Sequence, residues 1–114
     1  MNRPLPTPLA ERRGETRQAA RARLSFKFAG IEHNGEAVDL GFGGVGIQTD
    51  VEIPDGARLE MTLGIPFESG QVFVTVRGAV RWSLASMSGV WRYGVGFEAL
   101  GPEQRQVLER YLSD

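Results

Sequence analysis

Five stretches of this chain alternate apolar and polar residues with a period of two, which limits it to a fold built from strands with one buried face. In the first, Leu24, Phe26 and Phe28 fall on one side and Ser25 and Lys27 on the other. Asn34-Gly35 is the dipeptide best suited to a type I′ turn, so a second strand is expected to return antiparallel over 36–41, with His33 as an exposed turn residue. Val45, Ile47 and Thr49 resume the alternation after a glycine-rich interruption at 41–46, and Asp55-Gly56 turns the chain again. Leu59, Met61, Leu63 and Ile65 mark the fourth strand. After a turn at Glu68-Ser69-Gly70, Val72, Val74, Val76, Val80 and Trp82 share one face of the fifth, and Phe73, Thr75, Arg77 and Arg81 share the other. A turn at 86–89 leads to the last set, Trp91, Tyr93, Val95 and Phe97. Strands this short and regularly spaced predict an antiparallel sandwich or barrel. The 15 glycines in 114 residues agree, because turns, bulges and barrel corners use them.

The end of the chain changes period. Gly101-Pro102 opens a helix with Pro102 at its first position and Glu103 near the positive end of its dipole. Val107, Leu108, Tyr111 and Leu112 form one stripe, which needs an open end or flank of the barrel to cover it. At the other end, Pro4, Pro6 and Pro8 make residues 1–10 read as an extended tail. The expected organisation is that tail, then a single domain over 11–114: an arginine arm at 11–22, a barrel at 23–98 and a helix at 102–112.

Composition removes most enzymatic options. With no cysteine and only His33, the chain lacks a thiol nucleophile, a cysteine-based metal site and a histidine cage. Its serines form no nucleophile elbow, its carboxylates no acid–base pair, and the glycines at 41–46 no phosphate loop. A non-enzymatic domain without cofactor or metal is expected. No apolar run reaches membrane-spanning length and the N-terminus has no apolar leader, so no membrane insertion and a cytoplasmic location are expected.

Charge is unevenly spread. Residues 1–30 carry 7 Lys/Arg against Glu11 and Glu15, while the remaining 84 carry 6 basic and 12 acidic groups. A basic arm on an acidic body suits an anionic partner, although it also reads as a solvated, flexible terminus. Within the arm, Arg13 and Arg17 stand four apart with Arg12 beside them. A guanidinium fork matches phosphate oxygens and the O6/N7 edge of guanine, and its face stacks on a base. Further on, Asp39-Leu40-Gly41-Phe42-Gly43-Gly44 offers a carboxylate for a guanine N1–H/N2–H₂ edge or for an arginine, followed by glycines that permit close backbone approach. It also reads as a strand-end aspartate before a glycine bulge. Trp82 shares its face with valines and reads as core, with a second reading as a platform for stacking.

Together these segments resemble the PilZ domain family, whose signature is RxxxR followed by [D/N]xSxxG. Arg13-Gly14-Glu15-Thr16-Arg17 supplies the first part, extended by Arg12, and 39–44 supplies the second after 21 residues. The resemblance continues through GVGI at 44–47, VRGAVRW at 76–82, GVGFE at 94–98 and the helix. It implies a six-stranded antiparallel β-barrel with a C-terminal helix and a flexible N-terminal arm, and binding of cyclic di-GMP, often as a stacked dimer. On that basis Arg13 and Arg17 grip guanine and phosphate, Arg12 adds a phosphate contact, Asp39 fixes guanine or an arginine, and Gly41, Gly43 and Gly44 line the ligand. Arg21 and Trp82 are candidate additional contacts. Gly41 departs from the pattern, standing where the family has serine. A lost neutral hydrogen bond of about 0.5–1.5 kcal/mol weakens affinity roughly 2- to 13-fold. The resemblance further implies a downstream protein partner. A ligand-independent adaptor of the same fold is the alternative. Polynucleotide binding is not expected, since most aromatics fall on the apolar faces and the body is acidic.

Overall fold

A computed structural model describes residues 17–85 and 88–113, with side chains from residue 21 onward. Strands β1 (Arg17–Phe28), β2 (Ile31–Gly41), β3 (Gly44–Thr49), β4 (Arg58–Phe67), β5 (Gly70–Ala85) and β6 (Trp91–Phe97) precede helix α1 (Pro102–Leu112). All pairings are antiparallel, and they close into a barrel in the order β1-β2-β3-β6-β5-β4. Closure gives each strand a partner on both sides.

The inward faces are those the alternation marks. Leu24, Phe26, Ala37, Leu40, Val45, Ile47, Leu59, Met61, Leu63, Ile65, Val74, Val76, Val80, Tyr93 and Val95 are buried in one cluster. Helix α1 covers the flank at β4 and β5 with Leu108 and Leu112 buried. Tyr111 meets the Phe67 ring edge-on at 6.0 Å, and Arg110 lies 4.5 Å over that ring. The Gln104 side chain accepts from the Gly101 N–H and donates to the Thr75 carbonyl, tying the helix start to β5. Tyr93 pins the 50–57 loop to the core: its hydroxyl donates to the Val51 carbonyl at 2.9 Å and accepts from the Ile53 N–H at 2.7 Å. Burial pushes the phenol pKa up from its ordinary value, the Ile53 N–H opposes that, and Glu52 and Asp55 add to it.

Three expectations are corrected. The first hairpin turns at Ala29-Gly30 (φ 54° and 78°), not at Asn34-Gly35. Asn34 and Gly35 lie inside β2, opposite Ser25 and Leu24. An alanine with positive φ costs about 1–2 kcal/mol; in exchange the ladder lengthens by the pairs from Phe28↔Ile31 to Leu24↔Gly35. Glycine at 35 answers to crowding, since a Cβ there would lie 2.8 Å from the Gln48 carbonyl oxygen. His33 is accordingly a half-buried strand residue stacked on Phe26 at 5.3 Å. Second, β1 begins at Arg17, so 17–22 belong to the sheet and not to an arm ahead of it. A bulge between Ala19 and Ala22 breaks the alternation there, which hides the strand from a period-two reading. Third, Trp82 is not core: it is 48% exposed.

Candidate functional site

The exposure of Trp82 has a local cause. Val80 pairs with Val95 and Trp82 with Gly94, so Arg81 is the extra residue of a bulge in β5. Val80 points inward, and the bulge lets Arg81 and Trp82 both point outward, which strict alternation forbids. The indole lies over Gly94, where a Cβ would collide with Nε1, and the Arg81 side chain lies over Gly96, with Nε 2.5 Å from where a Cβ would stand.

These glycines continue across the barrel. On β3 and β6, Gly44 pairs with Gly96 and Gly46 with Gly94, while Val45 and Val95 between them are buried. Beyond β3, Asp39 of β2 pairs with Gly46. A bulge between Ala37 and Asp39 sets this register, so Ala37 and Leu40 both face the core and Asp39 faces out, half-buried. Its carboxylate accepts from the Gly46 N–H at 3.0 Å, and any side chain at 46 would press on it at 2.9 Å. The outer face thus carries two rows of side-chain-free positions. One runs from Asp39 through Gly46 and Gly94 to Trp82; the other runs from Gly44 through Gly96 to Arg81, with Gly41 on the β2 side of Gly44. Arg92 donates to Gln48 at 3.1 Å on the far side of the first row.

Arg17 is the Cα partner of Gly41, and Ala19 of Asp39, so the end of the arginine motif lies in direct register with the second motif. Arg12 and Arg13 lie outside the described residues. Arg21 is engaged elsewhere, 3.3 Å from Glu36 across the β1–β2 pair, an exposed ion pair worth about 0–1 kcal/mol. Gly44 is required by the fold itself, since a Cβ there would run into the Val95 carbonyl. Gly43 contributes its carbonyl to the Phe97 N–H at 2.9 Å, fastening the end of β6.

The residues that sequence reasoning passed over are Gly46, Gly94, Gly96 and Arg81. A signal for the glycines was present: Gly44-Val45-Gly46 and Gly94-Val95-Gly96 are the same tripeptide, and each puts its valine in the core and its glycines outside. Nothing in the period of β5 announces the bulge that exposes Arg81. Among the described residues there is no cluster of metal-ligating side chains and no helix long and apolar enough to cross a membrane.

The PilZ domain model matches residues 11–114. The chain belongs to the PilZ domain family. No curated protein sequence matches it. Among solved structures, the domain is similar to the Bacillus subtilis inhibitor of motility MotI/DgrA (TM-score 0.77, 16% identity), covering 90% of this chain and 49% of that one. It is also similar to the PilZ domain of Escherichia coli YcgR with c-di-GMP (TM-score 0.68, 17% identity; 90% and 89% covered). A third is the K. pneumoniae MrkH–c-di-GMP complex (TM-score 0.69, 14% identity; 100% and 52% covered). The chain spans about half the length of MotI/DgrA and of MrkH. At these identities the likeness establishes a shared fold, with six antiparallel strands and one C-terminal helix among the described residues.

Proposed function

We propose that this domain is a non-enzymatic receptor for cyclic di-GMP, held between the N-terminal arginines and the glycine-paved outer face. The observation that carries the reading is the register of Arg17 opposite Gly41, beside an outward-facing Asp39. Membership of the PilZ family supports it, as do the two similar structures whose bound molecule is c-di-GMP. In this reading Arg13 and Arg17 clamp guanine and phosphate, and Arg12 adds a phosphate contact. Asp39 accepts from a guanine edge, Trp82 stacks on a base, and Gly41, Gly43 and Gly44 border the ligand. Arg21 joins by exchanging Glu36 for the ligand. The ligand binds singly or as a stacked dimer. Closure of the arm over it changes the surface shown to a downstream protein, and the domain works in the cytoplasm.

The chemistry favours this assignment for two reasons. A base needs a flat seat with groups to stack on and bond to, which glycines on neighbouring strands provide by letting Trp82, Arg81 and Asp39 lie close against the sheet. A dianionic ligand needs a concentration of cations, which the arginine-rich N-terminal segment supplies to an otherwise acidic body. Calorimetry with cyclic di-GMP tests the proposal: micromolar or tighter binding is expected, lost in Arg13→Ala and Arg17→Ala. A flat titration of the wild-type chain overturns it.

A second reading, a ligand-independent adaptor, is favoured by Gly41 in place of the family's serine and by Phe73, which is 64% exposed at the other end of β5. It expects no heat with the dinucleotide and a stable complex with another protein.

A further inference from the structure

We infer that Arg81 is a further ligand contact, a barrel-borne cation that holds the phosphodiester at the β5 end of the glycine face. The inference rests on the receptor reading. Arg81 makes no ion pair or hydrogen bond among the described residues, unlike Arg21, Arg58, Arg77 and Arg92, which are each held by a carboxylate or an amide. It is presented by a bulge, and its exposed side chain lies across Gly96. Bulges that re-aim a side chain cost a ladder position, and they recur beside binding sites.

The two rows differ in charge, and that difference assigns their occupants. The first ends in the Asp39 carboxylate and the Trp82 ring. It suits a base, offering an acceptor for its N–H edge and an aromatic face, and it repels phosphate. The second row has no carboxylate; it runs from Gly41, whose β1 partner is Arg17, to Arg81. The rows lie two residues apart along the strands, about 6.6 Å, a separation that lets one nucleotide set its base in one row and its phosphate in the other. A cation at the Arg81 end of this row also offsets what the domain lacks at Gly41, where a hydroxyl is missing.

The test is calorimetric titration of the full chain with cyclic di-GMP at two salt concentrations, for wild type, Arg81→Ala, Arg81→Lys and Arg92→Ala. Losing a charge-assisted hydrogen bond weakens binding by about 10- to 100-fold, so Arg81→Ala is expected in that range with a shallower salt dependence. Arg81→Lys keeps the charge but not the fork, and is expected in between, with the wild-type salt dependence. Arg92→Ala, on the far side of the base row, is expected within about 2-fold of wild type, inside surface-substitution scatter. Unchanged melting temperatures show that the variants fold. Wild-type binding that Arg81→Ala leaves intact, or weakens with no change in salt dependence, overturns this inference alone. Absence of wild-type binding overturns the receptor reading, and this inference with it.

Discussion

Two stretches of the same barrel's outer surface are built on opposite plans. On β4 and β5 several outward groups are paired with one another or with a neighbouring segment. The Thr62 and Thr75 hydroxyls meet at 3.1 Å, Arg77 lies 3.7 Å from Glu60, and Arg58 lies 3.5 Å from Glu98. Around Gly44, Gly46, Gly94 and Gly96 on β3 and β6, and at the bulged end of β5, glycines replace those cross-strand pairs, and a tryptophan and an arginine lie over them without closing a network. Cross-strand pairs contribute roughly 0.2–1 kcal/mol each, and glycine in a strand weakens it further. The second surface therefore gives up stability that the first retains. In the receptor reading, the contacts this surface forgoes are made with the ligand.

The comparison breaks most sharply at Gly94. Gly94→Val puts a branched side chain where the indole rests, so cyclic di-GMP affinity is expected to fall by about 100-fold or more, as when a stacking face and its seat are lost together. A melting temperature that collapses along with affinity would show Gly94 to be structural only. Next in size is Tyr93→Phe, which removes the acceptor for the buried Ile53 N–H. Leaving that donor unpaired costs about 1–3 kcal/mol, read by denaturant unfolding. The same variant carries a pH signature. The buried phenol's pKa is raised above its unfolded 10.0, so its contribution is complete below pH 10.0 and is lost as pH climbs through the higher folded value. Wild type should show that alkaline loss, and the phenylalanine variant should lack it. Gly41→Ser sharpens the comparison in the other direction: restoring the hydroxyl is expected to tighten binding about 2- to 13-fold. The smallest effect belongs to the self-satisfied face. Thr62→Val is expected to change affinity by less than about 2-fold, and stability by no more than about 1 kcal/mol.

Much of this was legible from the amino acids. Period-two alternation marks the barrel's inner face from Leu24 to Val95, and Pro102 with its apolar stripe marks α1. The misreadings share a cause. Bulges at Ala19/Ala22, Ala37/Asp39 and Val80/Trp82 each insert a residue that shifts the parity of the strand beyond it. Alternation carries no record of such an insertion, so β1 looks too short and Trp82 looks buried. The Asn34-Gly35 turn failed differently: a strong local preference yielded to a longer ladder and to the crowding of Gly35 against β3. Asp39 was readable as a candidate because its chemistry is explicit. Arg81 was not, because its outward placement depends on where a bulge falls.

The most direct measurement is a proton–nitrogen NMR titration of the labelled chain with cyclic di-GMP. Shifts are expected at the amides of Gly44, Gly46, Gly94 and Gly96 and at the Trp82 indole N–H, with Thr62 and Thr75 unmoved. Shifts confined to β1 and β4, or a spectrum that saturating dinucleotide leaves unchanged, would contradict the assignment of the glycine face as the binding surface.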